Sequence, residues 1–137
     1  MPIPRTIYLT EKDMDRLSQM VDSLRQSSYD QHNVDMLKQE LNRATVLPEE
    51  AMPVNVVTMN SRVRVRDLKT DKEVLYQVVF PRHADTARNM ISVLAPIGTA
   101  LLGYQVGSEV EWLTPGGTRY LRIEAMEYQP EAAGVEA

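Results

Sequence analysis

Asp30, His32 and Asp35 fall in one short polar stretch, Tyr29-Asp30-Gln31-His32-Asn33-Val34-Asp35, where carboxylate oxygens and an imidazole could gather round a small metal ion. The same residue types favour an exposed turn. That is the reading preferred here; a weaker alternative has the tip touch a partner without chemistry, with Tyr29 as a partly buried anchor. Arg62, Arg64 and Arg66 could meet nucleic acid, but the chain carries a net charge of −4 and no aromatic residue interleaves with them. A solvated strand face explains them better. His83 follows Pro81 and Arg82 with no placeable Ser, Asp or Glu relay, and Phe80 and Trp112 read as core rather than pocket lining. The absence of cysteine excludes disulfides, thiolate metal sites and thiol catalysis. No catalytic constellation emerges, so neither an enzyme nor a cofactor or metal is expected.

The elements that position these residues follow from periodicity. Residues 1 to 47 read as helical: Thr10 is a plausible N-cap, and Asp13 completes a weak capping box. Met14, Leu17, Val21 and Leu24 recur at coiled-coil spacing, as do Val34, Leu37, Leu41 and Ala44. A turn over Ser27–Asn33 separates the two stripes, and Pro48 ends the second. This pattern predicts an antiparallel helical hairpin, a short coiled coil with arms of roughly 14–16 residues and ~20–24 Å.

After Val54 the period becomes alternating. Val63 and Val65 alternate with the three arginines; Thr70-Asp71-Lys72 turns the chain, and Glu73 to Phe80 is strongly β-prone. Pro81 stops that strand, His83 to Asn89 is polar loop, and Met90 to Leu94 is a further strand. Pro96 starts a short helix that runs to Leu102, and Gly103 supplies its left-handed stop. Glu109 to Leu113 and Thr118 to Met126 pair around Pro115-Gly116-Gly117. An α+β fold with an antiparallel sheet and one short helix follows, with residues 1–47 and 48–137 as its two parts and a tail fraying from about Gln129. With 43% apolar and 25% charged residues, no signal-peptide run after Met1-Pro2-Ile3-Pro4-Arg5 and no apolar stretch of bilayer length, a soluble cytoplasmic protein is expected.

The run Pro96-Ile97-Gly98-Thr99-Ala100-Leu101-Leu102-Gly103-Tyr104-Gln105-Val106-Gly107-Ser108-Glu109-Val110, followed by Thr114-Pro115-Gly116-Gly117, resembles the C-terminal signature of the Gre transcript-cleavage factors. Val56 to Val63 and Glu127 to Gly134 resemble a short-armed branch of that family, the regulators of nucleoside diphosphate kinase. The resemblance implies an FKBP-like C-terminal domain and RNA polymerase as partner. The lip Leu94-Ala95-Pro96-Ile97-Gly98 would be exposed and dock on the β′ coiled coil at the secondary-channel rim, while Leu101 and Leu102 serve the core. Gre factors carry an acidic D-L-S-E-N type tip for magnesium; the tip here, with Tyr29, Asp30, His32 and Asp35, lacks it, and Ala95 stands where those factors place serine. The expected protein is thus a monomeric polymerase-binding regulator without cleavage activity or strong nucleic-acid binding, acting on nucleoside diphosphate kinase indirectly through transcription. Two alternatives are an FKBP-like peptidyl-prolyl isomerase and a direct protein regulator of the kinase.

Overall fold

The structure, a computed structural model, describes residues 7–24, 31–114 and 116–134; the side chains of residues 112–114 lie outside that description. Strand β1 (Tyr8–Thr10) leads into helix α1 (Glu11–Ser23), which is followed by helix α2 (Gln31–Arg43) and strand β2 (Thr45–Leu47). Then come β3 (Arg62–Asp67), β4 (Glu73–Val79), β5 (Met90–Ser92), α3 (Pro96–Leu101), β6 (Glu109–Thr114), β7 (Gly117–Tyr128) and α4 (Pro130–Ala133). Among the described residues no helix is long and apolar enough to cross a membrane.

The sheet order is β5-β4-β3-β7-β6. The pairs β3/β4, β3/β7 and β6/β7 are antiparallel, as alternation and turn chemistry predict. The β4/β5 pair is parallel, contrary to the all-antiparallel expectation. The chain crosses back through 3-10 turns at Pro81–His83 and Thr86–Arg88, held by the Asp85–Met90 bridge, and these turns replace the plain loop expected there. Register shifts beside Arg62 and Arg64 bend β3 against the long β7.

The N-terminal region is not wholly helical. β1 and β2 form a parallel two-stranded sheet, Tyr8 opposite Thr45 and Thr10 opposite Leu47, so α2 ends at Arg43, before Pro48. Three-residue strands contain no periodicity to read. Thr10 caps α1 as predicted, its Oγ1 accepting from the Asp13 N–H at 3.0 Å. Leu17, Val21, Val34, Leu37 and Leu41 are buried, with Met14, Leu24 and Ala44 packed beside them. The stripes therefore mark the buried faces of α1 and α2, which pack on each other. They join one continuous core with Val63, Val65 and Val78 of the sheet, with Ile97 and Leu101 of α3, and with Leu121 and Ile123 of β7.

Pro130–Ala133 is a turn of helix, and Gln129 is buried, its Nε2 donating to the Pro53 and Val56 carbonyls at 2.8 Å each.

Candidate partner-binding lip and helical tip

The lip is built on β5. Ser92 closes the turn out of that strand: its carbonyl accepts from the Ala95 N–H at 3.0 Å and its Oγ from the Leu94 N–H at 3.1 Å. Thr99 ties the helix back, donating its hydroxyl to the Val93 carbonyl at 2.6 Å. A Cβ at Gly98 would sit 2.2 Å from the Ser92 carbonyl oxygen, so glycine is required for α3 to lie this close. Gly103 has φ +83, and a Cβ there would meet the Ile7 Cβ at 2.8 Å. Its amide donates to the Val57 carbonyl at 2.7 Å, while its carbonyl accepts from the Tyr8 N–H at 3.1 Å. The signature glycine thus fits β1 against the rest of the molecule as well as ending α3.

This geometry corrects the predicted lip. Leu94 and Ile97 are each only 5% exposed and Gly98 is buried, so these three residues belong to the interior rather than to an exposed patch. Of the five lip residues, Pro96, Ile97 and Gly98 lie in α3, whose helical repeat turns Ile97 and Leu101 to one inward face. Pro96 is exposed and Ala95 half-buried, and they form the accessible crest. Ala95 is the N-cap of α3 and makes no side-chain cap bond. A serine here would supply the side-chain cap that alanine cannot, so the residue type at this position bears first on the helix end.

At the other end, His32 and Asp35 are exposed on the first turns of α2, whereas Tyr29 and Asp30 lie outside the described residues. Helix α2 begins at Gln31, so His32 and Asn33 are helical rather than part of the turn. The Gln31 amide donates from Nε2 to the Leu24 carbonyl at 2.9 Å, which ties the start of α2 to the end of α1. No three His, Asp or Glu side chains converge to hold a metal ion among the described residues.

The arginine strand has the solvated face expected of it. Arg66 reaches Glu124 at 2.7 Å and Asp71 at 2.9 Å and also pairs with Glu73; Arg64 pairs with Glu127; the Arg62 guanidinium lies 5.1 Å over the Tyr128 ring. Hydrogen bonding to Glu124 and then to Asp71 raises the Arg66 pKa, and Arg66 in turn lowers that of Glu124. Phe80 is packed against the core; the side chain of Trp112 lies outside the description.

Sequence reasoning missed the role of Asp13. Its spacing places it in the α1 capping box, and its Oδ2 accepts from the Met59 N–H at 3.1 Å, a contact across 46 positions that no local pattern encodes.

With this geometry in place, the comparisons with known proteins define the class. Residues 52–128 match the family described as "Transcription elongation factor, GreA/GreB, C-term", and residues 5–47 match "Rnk N-terminus". The chain belongs to the GreA/GreB family. It is 40% identical over 131 residues to the regulator of nucleoside diphosphate kinase of Escherichia coli K12, covering 94% of each chain. It is 37% identical over 92 residues to the transcription elongation factor GreA of Orientia tsutsugamushi strain Boryong, covering 67% of this chain and 58% of that protein. Among solved structures, a prokaryotic transcription elongation factor GreA/GreB from Nitrosomonas europaea superposes with a TM-score of 0.75 at 40% identity, covering 90% of this chain and 100% of that one.

Proposed function

We propose that this protein is a non-enzymatic regulator that binds RNA polymerase at the secondary channel and does not promote transcript cleavage. The family membership carries this reading. In it, residues 48–137 form an FKBP-like domain whose Ala95–Pro96 crest docks at the channel rim, on the β′ coiled coil. Leu94, Ile97 and Gly98 hold that crest in shape from beneath. Helices α1 and α2 form a short hairpin that enters the channel partway; at 13 residues each they extend only about 20 Å. The tip lacks the acidic D-L-S-E-N type motif with which Gre factors hold magnesium. The protein would thereby compete with longer-armed channel factors and alter nucleoside diphosphate kinase levels through transcription.

The crest is the part to perturb. Pro96 is exposed at the first position of α3, where aspartate is compatible with the helix terminus, so Pro96→Asp leaves the fold intact. A charge at the centre of an apolar contact lowers affinity for core polymerase by about 10-fold or more. Unchanged affinity of folded Pro96→Asp overturns the docking surface. In a backtracked elongation complex the wild-type protein leaves the rate of transcript shortening at its intrinsic value; stimulation overturns the non-cleaving assignment.

A further inference from the structure

A buried polar junction joins three distant parts of the chain. Asp13, in the first turn of α1, has 0% exposure. Its Oδ2 takes the Met59 N–H, and its Oδ1 has no hydrogen-bond partner among the described residues. On the neighbouring residue, Thr58 donates its hydroxyl to Glu131 Oε1 of α4 at 2.6 Å. That leaves Ser61 Oγ, 2.8 Å away, to donate to Thr58 Oγ1, while the Thr58 N–H donates to Ser61 Oγ at 2.9 Å. Two carboxylates, one from the helical pair and one from the chain end, thus grip adjacent residues of one loop. Gln129 holds the same loop further back through the Pro53 and Val56 carbonyls.

An ionised Asp13 is poorly served here. The Met59 amide and, more weakly, the Thr10 hydroxyl are a small recompense for removing a carboxylate from water. The charged groups that act on it are Glu131 from α4, which repels it, and Arg16 from α1, which attracts it; the loop Val57–Ser61 brings no titratable group. We propose that this junction is a proton-dependent latch: with Asp13 neutral, α1 is clamped to the Thr58–Ser61 loop and the chain end, and with Asp13 ionised the clamp loosens and the α1–α2 pair is freed relative to the sheet. Burial first, and then the charge of Glu131, push the Asp13 pKa from the ordinary 3.8 up to about 6, against the Met59 N–H bond, which lowers it. Since the folded value lies above the unfolded one, the latch is fully engaged below the ordinary value and weakens as pH rises through about 6.

The chain has no cysteine, so a reporter pair can be placed freely. Met36→Cys on α2 and Leu75→Cys on β4, at positions 42% and 45% exposed, carry spin labels in the full chain. Distance distributions at pH 5 and pH 8 are read together with hydrogen exchange of the Met59 amide, corrected for intrinsic rates. The opening constant at Met59 should rise about 10-fold between those pH values, part of on the order of 100-fold in all, and the distance distribution should broaden. Asp13→Asn abolishes both changes, and Glu131→Gln moves the midpoint to lower pH. Distances and protection that ignore pH, or a pH dependence that survives in Asp13→Asn, overturn the latch. Should Asp13→Asn fail to fold, an unmoved midpoint in Glu131→Gln overturns it instead.

Discussion

Gly103→Ala tests how the family signature couples the N-terminal strand to the rest of the molecule. At φ +83 an alanine bears the left-handed penalty of about 1–2 kcal/mol. Its new Cβ would also lie 2.8 Å from Ile7 Cβ and 3.2 Å from the Tyr8 carbonyl oxygen, atoms that cannot swing aside. Relieving those contacts pushes β1 outward, at about 1–3 kcal/mol for overpacking, and strains the Tyr8–Gly103 and Gly103–Val57 backbone bonds. A total near 2–5 kcal/mol follows, a large share of the ~5–15 kcal/mol typical of a folded domain. Gly107→Ala is the matched control: φ is +92, but a Cβ there meets nothing within 4 Å, so only the backbone penalty applies. Urea unfolding followed by far-UV circular dichroism gives both values, and hydrogen exchange at the Tyr8 amide locates the damage. If Gly103→Ala loses no more stability than Gly107→Ala, the packing argument is wrong.

Ala95→Ser supplies the missing N-cap of α3 and should gain about 0.5–2 kcal/mol in the same urea assay; a loss would show that the half-buried site rejects the hydroxyl. Asp67 accepts from the Thr70 and Lys69 amides and from Arg119 Nη1 at 2.5 Å, and these bonds hold its pKa below the usual carboxylate range. Its contribution is present at neutral pH and is lost as pH falls through and below that range, so Asp67→Asn should flatten the acid limb of a Tm-against-pH profile; an unchanged acid limb refutes this.

Much of the architecture is legible because it is locally encoded. Alternation over Arg62–Arg66 fixes which face of β3 is buried, Thr10 caps α1, and the spacing of Leu17, Val21, Val34, Leu37 and Leu41 identifies the buried helical faces. What escaped depends on contacts distant in sequence. β1 and β2 are three residues each and exist by pairing with one another across the helical pair. The β4/β5 pairing is parallel because of a crossover that no residue pattern announces. At the lip, a run of small and apolar residues does not reveal which of them turn inward; the approach of Gly98 to Ser92 decides that, leaving Pro96 as the crest. The chain end is held by Gln129 and Glu131 through partners more than seventy positions away.

The central claim is occupancy of the polymerase secondary channel. Its most direct measurement is a titration of core RNA polymerase against the protein labelled at Met36→Cys, followed by addition of an unlabelled Gre factor. Saturable binding that the Gre factor fully displaces is the expected result. Absence of binding, or binding that persists undisturbed under a saturating Gre factor, would contradict it.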